Sequence, residues 1–263
     1  MSDDLLAAYD SQLRTGAETA HALTTHAHGP LRLAVFPGGQ GFVSYADLGG
    51  ADAAQIELLI DAALDHFRGE EGITSVEWKT RGHDQAPGLY DALDQRGFVA
   101  EDTESIMIGE TALLALELAA PHGILIRRAR TRADVWAMEE MQGRVFDDPN
   151  WEVRAETTFR RIQEDDEVEL WIAESDGRVV SAGRLEPVAG TQFAGLWGGA
   201  TVEAWRGRGI YRALTAERAR SALARGKKYL NSDSTEFSRP ILERAGLVRV
   251  STTTPYVWTP PPA

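Results

Sequence analysis

Two spacings of apolar residues alternate along this chain, and the order in which they come is run through twice. Residues 4–13 carry the period of a helix. Residues 21–26, 31–36 and 41–47 read as extended chain, with Pro37-Gly38-Gly39-Gln40-Gly41 as the turn between the last two. In residues 54–67 the apolar positions are 56, 59, 60, 63, 64 and 67, the spacing of an amphipathic helix. A strand over 73–79, a short helix over 89–96 stopped by Gly97, and a strand over 98–109 complete the first run. Residues 111–123 read as a connection, broken at Pro121-His122-Gly123.

The same order then returns. A strand over 124–129 leads to helices over 133–144 and 154–164, and a hairpin follows from 168–174 to 178–186. Its turn is Ser175-Asp176-Gly177, whose Asp-Gly pair supplies the positive φ angles that a tight hairpin needs. A strand over 191–202, a long helix over 210–225 ended by Gly226, a strand over 229–232, a helix over 239–245 stopped by Gly246 and a closing strand or hairpin over 247–258 finish the chain. Leu93-Asp94-Gln95-Arg96-Gly97-Phe98 stands 149 residues before Leu242-Glu243-Arg244-Ala245-Gly246-Leu247, each at a helix–glycine–strand junction. A duplicated α/β unit accounts for both. The expected organisation is two domains, 1–120 and 121–263, each a mixed, mostly antiparallel sheet flanked by helices.

Composition narrows the setting. Hydrophobic residues at 43% and charged residues at 25% are ordinary for a globular chain of 263 residues. Cysteine is absent, which removes disulfides, thiolate metal sites and cysteine nucleophiles together and suits a reducing cytoplasm. The start, Met1-Ser2-Asp3-Asp4-Leu5, is acidic where a signal peptide would be basic, and no apolar run reaches membrane-spanning length. The expectation is a cytoplasmic protein, monomer or homodimer, without a membrane partner. Net charge is −13, unevenly spread: residues 1–122 hold 6 Lys+Arg against 20 Asp+Glu, and residues 123–263 hold 21 against 20. This strongly acidic chain has no basic stripe, which argues against nucleic acid. The first half is a well-solvated surface or an attractor of cationic ligands. The six histidines, among them His21, His26 and His28, show no metal-ligand spacing.

The informative stretch runs from Gly198 to Leu214 and reads strand, tight glycine loop, helix. Arg206-Gly207-Arg208-Gly209 lies at the start of that helix, where backbone N–H groups converge at the positive end of the dipole. Glycine lets the backbone approach phosphate oxygens, and Arg206, Arg208 and Arg212 add cationic donors. A di-anion such as a pyrophosphate is the expected ligand. The loop is not a Walker loop, because no Gly-Lys-Ser/Thr follows, and not the dinucleotide fingerprint, because the third glycine is missing.

This segment resembles the pyrophosphate loop of the GNAT superfamily of N-acetyltransferases. Their pattern Arg/Gln-x-x-Gly-x-Gly/Ala is met at Arg206, Gly207, Arg208, Gly209 and Ile210, with Tyr211 in place of the last small residue. The resemblance extends over 124–258 through the strand–helix–helix–hairpin order and through the segment 238–247. It implies two GNAT-like domains in tandem, of which the first is degenerate. The strand over 41–47 runs into Leu48-Gly49-Gly50-Ala51-Asp52 without an arginine, and Asp47 and Asp52 would repel phosphate.

The resemblance also implies roles. Acetyl-CoA would be the co-substrate, without a metal. Ala200, Thr201 and Val202 would hold the pantetheine arm through backbone groups, one amide polarising the thioester carbonyl. Arg206, Gly207, Arg208, Gly209, Ile210, Tyr211, Arg212 and Ser238 complete the coenzyme set. Attack on the thioester needs a neutral amine, so a base must take its proton; Glu203, Glu186 and Asp233 are candidates. Glu203 is equally a solvated residue or a partner of Arg206, and Asp233 equally a helix cap. The family's usual acid, a tyrosine five residues before the position of Leu247, is Leu242 here; Tyr211, Ser234, Ser238 and Tyr256 are the substitutes. Trp136 and Trp151 are core, lid or acceptor-pocket residues. The implied reaction is acetyl transfer by direct attack of a primary amine on a small molecule or peptide, with one site in the second half. The alternative is a non-catalytic acyl-CoA-binding sensor or interaction module.

Overall fold

A computed structural model of the chain describes residues 2–261. It resolves into two compact units, one of residues 2–106, 233–236 and 249–261, the other of residues 107–232 and 237–248.

In the first unit α1 (Ser2–Leu13) precedes three strands, β1 (Thr24–His28), β2 (Leu31–Phe36) and β3 (Gln40–Tyr45). Helix α2 (Ala53–Gly69) then crosses to β4 (Ser75–Arg81), and α3 (Leu89–Gln95) to the short β5 (Val99–Ala100) and to β6 (Glu104–Glu110), whose residues from 107 on belong to the second unit. Helix α2 starts where it does because Asp52 and Gln55 cap each other's backbone, a reciprocal capping box. The apolar face predicted for it is buried at Ile56, Ile60, Ala63, Leu64 and Phe67. That face joins Leu33, Val43, Val76 and Trp78 of the sheet in one core. The last strand of the chain, β12 (Val248–Trp258), pairs antiparallel with β4, Trp258 opposite Val76, and contributes Tyr256 and Trp258 to this core.

The second unit opens with a single helical turn, α4 (Thr111–Leu114), inside the stretch read as a connection. After it come β7 (Leu125–Ala129), α5 (Arg132–Phe146), α6 (Trp151–Glu164), β8 (Glu169–Ser175), β9 (Arg178–Pro187), β10 (Phe193–Thr201), α7 (Ile210–Ala224), β11 (Tyr229–Ser234) and α8 (Arg239–Ala245). Strands β7, β8, β9 and β10 are antiparallel neighbours in chain order. The β8–β9 turn has Asp176 at φ 49° and Gly177 at φ 74°, as the Asp-Gly pair requires. Helices α5 and α7 pack on this sheet through Val135, Met138, Ala219 and Ala222, all essentially inaccessible. Each unit thus carries a mixed sheet flanked by helices. No helix among the described residues is long and apolar enough to cross a membrane.

Candidate coenzyme site

The site of the second unit begins where β10 and β11 part. They pair in parallel only at Phe193–Tyr229, Ala194–Leu230 and Gly195–Asn231. One step further the Ser232 hydroxyl donates to the Leu196 carbonyl at 2.9 Å, and the backbone ladder goes no further. Asn231, at the last rung, is buried, and its Oδ1 has no hydrogen-bond partner among the described residues.

On its other edge β10 bulges. Trp197 faces Arg184 and Ala200 faces Ala182, so three steps on β10 match two on β9, and Gly198 and Gly199 absorb the extra residue. Gly198 takes φ 58°, and its carbonyl accepts from the Gln142 side chain. Beyond the bulge β10 is sewn back onto β9: the Ser181 hydroxyl donates to the Ala200 carbonyl at 2.8 Å and lies 2.8 Å from the Thr201 hydroxyl, and the Val202 N–H donates to the Val180 carbonyl at 2.9 Å. The three residues expected to hold a pantetheine arm therefore lie on a firmly anchored stretch.

A 3-10 turn, Glu203–Trp205, then turns the chain into the loop. Gly207 and Gly209 sit at φ 72° and 78° with nothing within 4 Å of where a side chain would start. Gly209 is the N-cap of α7, and no side chain caps that end. The first-turn N–H groups of α7 are thereby left for an outside acceptor. Arg206 donates from Nε to the Thr201 carbonyl at 3.1 Å, and the Arg208 guanidinium stacks 4.6 Å from the Trp205 ring. Among the described residues no carboxylate pairs with Arg206, Arg208 or Arg212, so all three charges remain for an anion.

Tyr211, the departure from the family pattern, does not crowd the loop. Its ring turns onto the bulge, where a Cβ on Gly199 would stand 2.3 Å from the hydroxyl, so glycine at 199 makes the room that tyrosine at 211 uses. Beneath the ring lies Arg218, fully buried, its guanidinium 5.5 Å from the ring centroid. Arg218 donates to the Arg184 carbonyl at 3.2 Å and to the Thr215 hydroxyl at 3.1 Å, and has no carboxylate partner among the described residues. It fits because Gly183 opposite it also lacks a side chain. Neither Arg218 nor the Gly183–Arg218 and Gly199–Tyr211 pairs was expected from sequence. The sign available there was a glycine at each of two strand positions.

The other candidates are dispersed. Glu203 is exposed beside the loop and forms no ion pair with Arg206 among the described residues; its carbonyl accepts the Arg206 N–H instead. Glu186 is occupied by Arg161, at 2.7 Å, and Arg184, at 2.9 Å. Asp233 and Ser234, at the end of β11, belong to the first unit. There Asp233 pairs with Lys79 at 2.9 Å. Burial alone would lower the pKa of Lys79, but the charges of Asp233, Tyr9 and Glu18 outweigh it and raise it. Ser238 stands at the N-cap of α8 without a side-chain cap bond. Leu242 is core, 1% exposed among Met107, Leu114 and Leu247. Trp136 packs on Phe159 and under Arg132, and Tyr256 stacks on Tyr90. Among the described residues no group of His, Asp or Glu is placed to hold a metal ion.

A mixed sheet parted at a parallel strand pair, with an uncapped glycine–arginine loop opening the next helix, is an arrangement that can receive an anionic group across the end of the sheet. Residues 133–246 match the acetyltransferase (GNAT) family. That span of the chain carries a GNAT-family domain. In structure it is similar to a GCN5-related N-acetyltransferase from Kribbella flavida, with a TM-score of 0.68 and 15% identity over 99% of this chain and 95% of that one. It is also similar to a GCN5-related N-acetyltransferase from Sphaerobacter thermophilus, with a TM-score of 0.60 and 16% identity over 89% and 78% of the two chains. A tandem GNAT protein from the clavulanic acid biosynthesis pathway gives a TM-score of 0.59 and 15% identity over 89% and 79%. No curated protein matches the chain in sequence.

Proposed function

We propose that the protein is an acetyl-CoA-dependent N-acetyltransferase of the cytoplasm, with one active site per chain, in the second unit. The observation that carries this reading is the uncapped, cationic loop from Arg206 to Gly209 at the start of α7. The N–H groups of Gly209, Ile210, Tyr211 and Arg212 and the charges of Arg206, Arg208 and Arg212 hold the pyrophosphate. The pantetheine arm follows β10 past Val202, Thr201 and Ala200 toward the parting of the strands. There the unpaired Oδ1 of Asn231 is an acceptor for one of its amide N–H groups. Acetyl-CoA supplies the activated acyl group; the chain's own part is to hold it, to place β10 N–H groups where the carbonyl oxygen gains charge, and to take the amine's proton. Glu203, exposed and without an ion pair to Arg206, fits the proton-accepting role better than Asp233, whose carboxylate is committed to Lys79. The acceptor is a primary amine on a small molecule or peptide, and attack is direct.

A second reading, a non-catalytic acyl-CoA sensor, draws support from Leu242, a core residue where the family's acid would stand. Calorimetric titration with CoA and assay of thiol release from acetyl-CoA with a library of primary amines separate the two. The expected result is saturable CoA binding, weakened tenfold or more by Gly209→Val, and amine-dependent thiol release. The weakening follows because a β-branched residue at φ 78° costs about 1–2 kcal/mol and blocks the phosphate. Binding without turnover on any amine supports the sensor. CoA binding unchanged by Gly209→Val sinks the loop assignment.

A further inference from the structure

We propose that Arg218 is a positioning residue of the transfer step: its buried charge, standing behind Tyr211, favours negative charge at the bulge of β10. The proposal rests on the reading that the thioester of acetyl-CoA comes to that strand. Arg218 is wholly inaccessible, and it directs its donors to neutral oxygens, the Arg184 carbonyl at 3.2 Å and the Thr215 hydroxyl at 3.1 Å. Its Nε has no hydrogen-bond partner, and its charge no carboxylate, among the described residues. A guanidinium stays protonated, so it cannot escape burial by losing its charge, and an uncompensated charge in the interior is costly. The face of the Tyr211 ring offsets only part of that cost.

The buried carboxylates Glu169 and Glu139 of the same unit are neutralised. Glu169 meets Arg225 at 2.8 Å and Arg128 at 3.4 Å, and Glu139 meets Arg154 at 2.5 Å. A cation left over in such surroundings points to a negative charge that is present only when substrate is bound.

The place where it is left over is the bulge. Trp197 faces Arg184 and Ala200 faces Ala182, so Gly198 and Gly199 stand opposite the single rung of Gly183. A side chain at Gly183 would collide with the Arg218 guanidinium, and one at Gly199 with the Tyr211 hydroxyl. The two glycines thus bring the pair against the bulge, with the guanidinium 5.5 Å from the ring centroid. A cation at a phenol ring polarises it and makes its O–H a stronger donor toward an anion. In the transfer, the amine nitrogen bonds to the thioester carbon and an electron pair moves onto the carbonyl oxygen. The C–S bond then breaks, the pair leaves on sulfur, and the amine's proton passes to the base. Oxygen and sulfur in turn carry negative charge beside β10, where a fixed cation shielded from water acts more strongly than in solvent.

Coenzyme A itself, without an acceptor, is the probe, because its thiol reports any field that favours an anion at the bulge. Its ionisation in the complex with the full chain is followed by the ultraviolet absorbance of the thiolate, with desulfo-CoA as the blank. A free thiol ionises at about pH 8.5, and the expected midpoint in the complex lies about one pH unit lower. Arg218→Met should abolish that shift and Tyr211→Phe should remove part of it. Both should keep near wild-type CoA affinity at pH 7, because the loop is untouched. The melting temperature of unliganded Arg218→Met should be unchanged or higher, since an apolar side chain of similar length replaces an uncompensated charge. With an amine that turns over, kcat of Arg218→Met should fall about tenfold at nearly constant KM. Equal thiol midpoints in the wild type and both variants overturn the proposal. So does a collapse of stability in Arg218→Met, which would mark Arg218 as structural. Failure of the wild type to bind CoA is a different failure, that of the loop assignment, and it removes this proposal with it.

Discussion

Two parallel strand pairs part in this protein, β3 from β4 after Val43 and Trp78, and β10 from β11 after Gly195 and Asn231. Their surroundings are opposite. Beyond the first parting, Glu18 receives Ser44 and Arg81 and lies 3.7 Å from Lys79, which also holds Asp233; the charges are matched from within. Beyond the second stand two glycines and, among the described residues, an unpaired Asn231 oxygen and three arginines without carboxylates. A parted strand pair is a place for a ligand, and the residues at its mouth decide whether the protein fills that place itself or leaves it open.

The largest test of this contrast removes one internal charge. Lys79→Met removes the buried cation that Asp233 and Glu18 share, leaving Glu18 to Arg81, and stability measured by urea unfolding should fall by about 3 kcal/mol. Arg208→Met, on the exposed loop, should alter stability by no more than about 0.5 kcal/mol while weakening CoA binding. Equal losses of stability from the two variants would erase the distinction between a self-satisfied parting and an open one.

A middle-sized effect is expected at the bulge. Gly199→Ala places a carbon 2.3 Å from the Tyr211 hydroxyl, an overpacking that should cost about 1–3 kcal/mol. If the two positions accommodate each other, Gly199→Ala combined with Tyr211→Ala should cost less than the two single changes summed. Strictly additive losses in a double-mutant cycle would show that the pairing of glycine and tyrosine carries no energetic weight.

Much of this was legible in the sequence, and the exceptions share a cause. The Arg206–Gly209 loop, the Asp176-Gly177 turn and the glycine stop of α8 are local, written in residues a few positions apart. The strand expected over 98–109 is broken into β5 and β6 by Glu101-Asp102-Thr103, and α6 starts three residues earlier than its apolar period, at Trp151. Partners distant along the chain were invisible. The alternation of β12 says that one face is buried, not that β4 lies beside it. Arg218, in Glu217-Arg218-Ala219-Arg220, has the local sequence of a solvated position and is fully buried. Lys79 and Asp233 stand 154 residues apart, so nothing local foretold that a candidate base would be held by a lysine.

The smallest effect separates the halves at their helix starts. Each opens a long helix with a capping box, Asp52 with Gln55 at α2 and Thr131 with Asp134 at α5. Only the second places a carboxylate at the third position, where Arg127 reaches it at 2.7 Å and the N–H groups of Arg130 and Thr131 donate to it at 3.0 Å. The Arg127 hydrogen bond, reinforced by those N–H groups against the cost of burial, holds Asp134 well below the usual carboxylate range. A carboxylate depressed on folding stabilises the protein above its unfolded pKa, about 3.9, and that stability fades as pH falls toward the folded value. Asp134→Asn should therefore cost about 1 kcal/mol at pH 7, the ordinary worth of a cap. The difference from the wild type should shrink steadily below about pH 4. Gln55→Met, which breaks the uncharged counterpart at α2, should cost a similar or smaller amount with no such dependence on pH. Unfolding both variants across that range distinguishes a charged cap from a neutral one, and a pH-independent cost for Asp134→Asn would show that its charge adds nothing to its geometry.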